Sequence, residues 1–418
     1  MKWKVITFAI ITIALATIAN VLLLYNSPEN ISNRANDTSA TSEGISSIVN
    51  ANNQFALDLY SELNNETGNL FFSPLSISTA FAMIYEGARG QTAEEIQSIF
   101  HFPEDNTTRR SSFAAIYNQL NKESGRCKLH TANALWIQKN YPTLDEFTTL
   151  ILRYYAGNAT NLDFEGATEE ARLTINNWVD DKTNGKIKDL FPQGSLNSLT
   201  RLVLTNAIYF KGNWVKQFDK NGTIPEAFRV SPNNTVQVDM MRRTDEESKF
   251  NYTETEELQI LEMLYEGKDL SMLILLPKND DIKTLEKSLT LEKLKEWKNS
   301  LKEQRVNVFI PKFTFNRKYI LNENLKAMGM PSAFTPGSAD LSGIDGTRNL
   351  FIQIVIHQSF VDVNEEGTEA AASTGVGIGL TSITPKVPIF RADHPFIFLI
   401  QEKKTGNILF LGKVVDPR

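Results

Sequence analysis

Residues 364–380 read NEEGTEAAASTGVGIGL, and the whole chain is best approached from this stretch. From position 368 the even positions are Thr368, Ala370, Ala372, Thr374, Val376, Ile378 and Leu380. The odd ones are Glu369, Ala371, Ser373, Gly375, Gly377 and Gly379. A period of two with one apolar face is the mark of a β-strand. Yet three glycines at alternate positions weaken a strand interior, and residues this small pack poorly. A strand pattern has been written into a segment with the composition of a loop.

Outward from this stretch, strand signals dominate the second half of the chain. LVLTNAIYF, LSMLILLP, VNVFIPKFTF, IQIVIHQSFVDV and PFIFLIQ are β-branched or aromatic runs bounded by turn residues. The first half is helical. In IVNANNQFALDLYSEL, Ile48, Phe55, Leu59 and Leu63 recur at three-to-four-residue spacing, TAEEIQSIF carries Thr92 as a candidate N-cap, and ATEEARLTINNWVDDKTNG ends at Gly185. Helices first and strands later predict an α+β fold rather than alternating α/β.

The N-terminus reads differently. Lys2 and Lys4 precede an apolar run over residues 5–24, long enough to cross a bilayer. The run also contains Ala14, Leu15 and Ala16, a small-x-small site of the kind signal peptidases cut. Residues 1–25 are therefore a signal peptide or a membrane anchor, and in both cases the remainder is expected outside the cytoplasm. Residues 26–45, rich in Ser, Asn and Thr, read as a flexible polar linker, and residues 46–418 as one domain. Eight Asn-x-Ser/Thr sequons, at Asn30, Asn36, Asn65, Asn106, Asn158, Asn221, Asn233 and Asn251, accord with an exported glycoprotein.

Composition narrows the function. With 418 residues and a net charge of −6, the chain has no basic footprint for nucleic acid. Its single cysteine, Cys127, excludes an internal disulfide and reads as a small buried apolar residue. His101, His130, His357 and His394 lie at no metal-ligand spacing. There is no nucleophile elbow, P-loop or His-Glu-x-x-His, and the glycines at 375, 377 and 379 lack the third offset and the following helix of a nucleotide loop.

Five motifs in order resemble the serpin family from about residue 47 to the C-terminus: NLFFSPLSISTAFAMIYEGARGQTAEEI, LTNAIYFKGNW, VNVFIPKF, EEGTEAAAST and the terminal HPFIFLI with GNILFLGKVVDP. The resemblance implies an α+β serpin fold of three β-sheets and eight or nine helices, with an exposed reactive-centre loop. It implies an inhibitor of serine proteases that acts as a suicide substrate: once cut, the loop inserts into the main sheet as an extra strand. The hinge would be Glu366, Gly367, Thr368, Glu369, Ala370, Ala371, Ala372 and Ser373. The reactive bond would join Thr381 to Ser382, fourteen residues beyond Gly367, with Gly379, Leu380 and Ile383 setting specificity beside it. An elastase-like or subtilisin-like target suits Thr381, and a chymotrypsin-like one suits Leu380. By the same resemblance Asn69, Ser73, Ser76, Asn206, Trp214 and His357 govern sheet opening. The resemblance implies a monomer with no metal, no cofactor and no catalytic residue. The other reading is a non-inhibitory serpin-fold binding or chaperone-like protein, against which stand the small hinge residues and the absence of proline before Pro385.

Overall fold

The computed structural model describes residues 34–64, 68–122, 127–368 and 387–418. The apolar run at 5–24, the sequons Asn30 and Asn65, the hinge from Glu369 to Ser373, and Gly379, Leu380, Thr381, Ser382 and Ile383 lie outside the described residues.

In chain order the strands are β1 (Leu70–Phe72), β2 (Lys128–Gln138), β3 (Asn158–Leu162), β4 (Leu202–Asn213), β5 (Ile224–Ser231) and β6 (Asn234–Arg243). They continue with β7 (Lys249–Glu254), β8 (Leu258–Leu264), β9 (Leu270–Pro277), β10 (Lys302–Arg305), β11 (Asn307–Pro311) and β12 (Phe313–Ile320). The last are β13 (Ile354–Val363), β14 (Gly367–Thr368), β15 (Ile389–Arg391), β16 (Phe396–Glu402) and β17 (Ile408–Val414). The first helices are α1 (Ser42–Leu63), α2 (Pro74–Gly87), α3 (Gly90–Phe100), α4 (Asn106–Leu120), α5 (Asp145–Tyr155) and α6 (Thr168–Lys182). Four short ones follow: α7 (Ile282–Ser288), α8 (Leu291–Ser300), α9 (Asn322–Ala327) and α10 (Ser342–Asp345). These ten helices of the described residues exceed the eight or nine expected because α9 and α10 are one-turn elements that carry no amphipathic period.

Three sheets result, ordered β1-β17-β16-β9-β8-β7-β10, β15-β11-β6-β5 and β12-β13-β14-β4-β2-β3. In the third, β13 and β4 also pair directly and in parallel, from Ile354 opposite Val203 to Phe360 opposite Tyr209. The near-continuous apolar run of β4 follows from burial on both faces. One face meets the main core, and the other meets a second cluster built on Trp136, Ile175, Val179 and Ile356, to which α6 contributes.

The domain begins earlier than position 46. Thr41 caps α1 by accepting from the Gly44 N–H, and residues 34–40, inside the stretch that reads as a linker, pack on α4 and α5. Ala35 is buried, its N–H donates to Asn118 Oδ1 at 2.9 Å and its carbonyl accepts from Asn118 Nδ2 at 2.8 Å. The Asn36 N–H donates to the Arg153 carbonyl at 2.7 Å. Polar composition hid this because backbone and amide bonds, rather than apolar side chains, hold the strap. Thr92 is not an N-cap either: Arg89 precedes α3, while the buried Thr92 hydroxyl accepts from the Asp340 N–H and pairs with Ser332. Cys127 is half-buried rather than buried, and desolvation pushes its thiol up to about 12, so the thiolate that reacts is scarce.

Candidate functional site

The sheet seam between β13 and β4 organises everything the sequence suggested as sheet-opening control. His357 on β13 stands in register with Asn206 on β4. The His357 Nδ1–H donates to Asn206 Oδ1, while its Nε2 accepts from the Ser73 N–H at 3.0 Å. One ring nitrogen donates and the other accepts, which is the pattern of a neutral imidazole. Burial pushes His357 down to about 3, outweighing its bond to Asn206. The Asn206 amide in turn donates to Ser76 Oγ at 2.8 Å and to Asn133 Oδ1 at 2.9 Å. Ser73, the N-cap of α2, donates from its hydroxyl to the Leu409 carbonyl at 2.6 Å. Helix α2 is thereby pinned beneath the seam, and its N-terminus is tied to both strands that flank it.

Four of the six suggested residues, Ser73, Ser76, Asn206 and His357, are brought together here. Asn69 is not among them: it accepts from the Val415 and Asp416 N–H groups at 2.6 and 2.9 Å and fastens β1 to the chain end. Asn133 belongs to the cluster and was missed by sequence reasoning, although an isolated amide in the otherwise apolar TANALW was a readable signal.

At one end of the seam lies the hinge. Gly367 and Thr368 form β14, wedged between the two strands: Thr368 stands opposite Val363 on β13 and Gly212 on β4, antiparallel to both. Below this wedge β13 and β4 are still paired with each other. Thr368 is fully buried, and its hydroxyl lies 3.0 Å from Tyr265 Oη. Gly367 has φ of 157°, and a Cβ there would fall 2.2 Å from the Gly212 carbonyl oxygen. Only glycine permits so close an approach of two backbones.

Trp214 frames the hinge. Its indole stacks on Tyr265 with 4.4 Å between centroids and donates to the Asn364 carbonyl at 3.0 Å, while its backbone N–H donates to the Glu366 carbonyl at 2.8 Å. The two glutamates are buried and each meets a lysine: Glu365 with Lys312 at 3.1 Å, Glu366 with Lys220 at 2.5 Å. Burial raises the Glu365 carboxyl, but its own backbone N–H, Thr223 and Lys312 together outweigh this and leave it below its ordinary value. Lys220 is raised by its bond to Glu366. Neither lysine, nor Thr223 or Tyr265, was marked by sequence reasoning, since each is distant in sequence from the hinge it holds.

Comparison with known proteins places this geometry. A sequence model for Serpin (serine protease inhibitor) matches residues 50–417. The chain belongs to the serpin family. Among its relatives, the leukocyte elastase inhibitor of Homo sapiens is 43% identical over 385 residues, covering 88% of this serpin and 99% of that protein. An uncharacterized serpin-like protein of Thermococcus kodakarensis is 44% identical over 374 residues, covering 89% of this serpin and 86% of that protein. Among solved structures, Serpin48 of Tenebrio molitor superposes with a TM-score of 0.80 at 34% identity, covering 89% of this serpin and 98% of that chain. The α+β fold of three sheets is thus the serpin fold, and the family is one of protease inhibitors rather than proteases. Among the described residues no group of three or more His, Cys, Asp or Glu side chains is placed to hold a metal. Nor is any described helix long and apolar enough to cross a membrane.

Proposed function

We propose that this serpin inhibits an elastase-like or subtilisin-like serine protease as a suicide substrate. The observation that carries the reading is β14: the first hinge residues already occupy the gap between β13 and β4, while the same two strands are zipped together below. A cut loop would continue along that path by parting the seam. The core-facing position of Thr368 sets the phase, so that Ala370, Ala372, Thr374, Val376, Ile378 and Leu380 would follow it inward.

The protease attacks the bond after Thr381 and becomes esterified to the new carboxyl end. Insertion of fourteen residues at about 3.3 Å each then carries that end roughly 45 Å. A protease dragged this far has its oxyanion hole distorted, and loss of one donor there alone slows deacylation on the order of a hundred-fold or more. The acyl-enzyme therefore persists. The small Thr381 and the likeness to a leukocyte elastase inhibitor support a small-pocket target. Export supports the same reading, with residues 5–24 as signal or anchor and glycans on exposed sequons such as Asn221 and Asn233. The serpin acts as a monomer, one loop for one protease.

The test mixes the purified protein with elastase, subtilisin, chymotrypsin and trypsin, followed by denaturing gels and intact-mass analysis. A denaturation-resistant complex with a released peptide beginning at Ser382 is expected with elastase or subtilisin. Cleavage by all four without any covalent complex would remove the inhibitory reading.

A further inference from the structure

Beside the seam lies a cavity of about 800 Å³, inside the roughly 300–1,000 Å³ range of small-molecule sites. Its wall is apolar, with Phe113 and Ile116 from α4, Leu129 from β2, Ile208 from β4 and Leu152 from α5. The strap at residues 34–36 edges it. Ser76 and Asn133, at one side, are the two residues already bonded to Asn206.

The charges around this cavity are one-sided. Arg34, Arg153 and Lys182 line it and no Asp or Glu does, in a chain whose net charge is −6. Arg34 is paired with Asp37 at 3.2 Å. Arg153 and Lys182 are exposed and make no ion pair among the described residues; Arg153 stands over the Tyr154 ring at 5.3 Å. An apolar hollow with two uncommitted cations on its lining has the complement of a molecule with an alkyl chain and an anionic head.

We propose that this cavity binds a single-chain amphiphilic anion, an acyl carboxylate taken up as the free monomer, with its chain along the apolar wall and its head group at Arg153 and Lys182. The inference is independent of whether the loop traps a protease. Nothing in it uses the hinge.

Calorimetric titration of the full chain, handled without detergent and with laurate below its micellisation concentration, provides the test. Saturable one-to-one binding is expected, and decanoate, two methylenes shorter, should bind about tenfold more weakly. Dodecyltrimethylammonium, of equal chain length and opposite charge, should show no saturable binding. The Arg153→Gln, Lys182→Gln double variant should weaken laurate at least tenfold. Leu152→Glu, at a position 57% exposed and therefore compatible with folding, should abolish binding by placing an anion at the head-group end. Absence of laurate binding overturns the proposal, including the case in which the chain's own N-terminal residues fill the cavity. Equal binding of the cationic amphiphile, or unchanged affinity in both variants, overturns it as well.

Discussion

His357 and Asn206 face each other across a seam whose opening any inserting loop requires, and the hydrogen bond between them depends on an imidazole that stays neutral. A histidine held near 3 when folded and near 6.5 when unfolded adds stability that is complete above about pH 6.5 and is lost as pH falls toward 3, at about 1.4 kcal/mol per pH unit. Urea denaturation of the wild type and of His357→Gln should therefore give a stability gap that narrows by that amount for each unit between pH 6 and pH 4. A gap constant across this interval would mean that the imidazole is not held neutral. Gly367 makes a second claim at this scale. Ala at this position would put its Cβ 2.2 Å from the Gly212 carbonyl, so Gly367→Ala should expel β14 from the sheet. Amide exchange at Thr368 should then rise at least tenfold, and more of the variant should be turned over as substrate per protease trapped.

At the scale of elements, alternation in the loop becomes a test of insertion. Thr374 shares the phase of the buried Thr368, whereas Ser373 has the opposite phase. Thr374→Arg should convert the inhibitor into a plain substrate, because an unpaired charge would have to enter the core, while Ser373→Arg should leave trapping within about threefold of wild type. Equal effects at both positions, measured as inhibitor consumed per protease trapped, would sink the strand-insertion mechanism. The same period made the strands legible in the sequence: β9 coincides with the run LSMLILLP, and β4, β13 and β16 fall where β-branched and aromatic residues cluster. What could not be read was held by isolated polar contacts. The strap before α1 rests on Asn118, the closed seam on Asn133, and the hinge on Lys220, Lys312 and Tyr265, each remote in sequence from its partner. Composition and period register faces; they do not register single long-range bonds. The strap invites its own check: Asn118→Ala removes both bonds to Ala35, and backbone exchange over residues 35–36 should accelerate while the seam residues keep their protection.

For the whole molecule, the closed seam stores what the mechanism spends. Inserting a strand of about fourteen residues between β13 and β4 replaces one short parallel ladder with two antiparallel ones, on the order of 15 additional hydrogen bonds at about 1 kcal/mol each. Melting of the loop-cleaved protein should accordingly rise on the order of 20 °C above the intact form. An unchanged melting temperature after cleavage would point to a loop that never enters the sheet.

The order of the seven-stranded sheet carries a consequence for biosynthesis. Strand β17, made last, lies between β1, made near the beginning, and β16, which in turn pairs with β9. A nascent chain that has already exposed its bait therefore still lacks the middle of this sheet, and cannot close its core until translation ends. A premature stop codon anywhere between the loop and β17 would not shorten a tail. It would leave β1 without a partner and the ribosome's product without a fold.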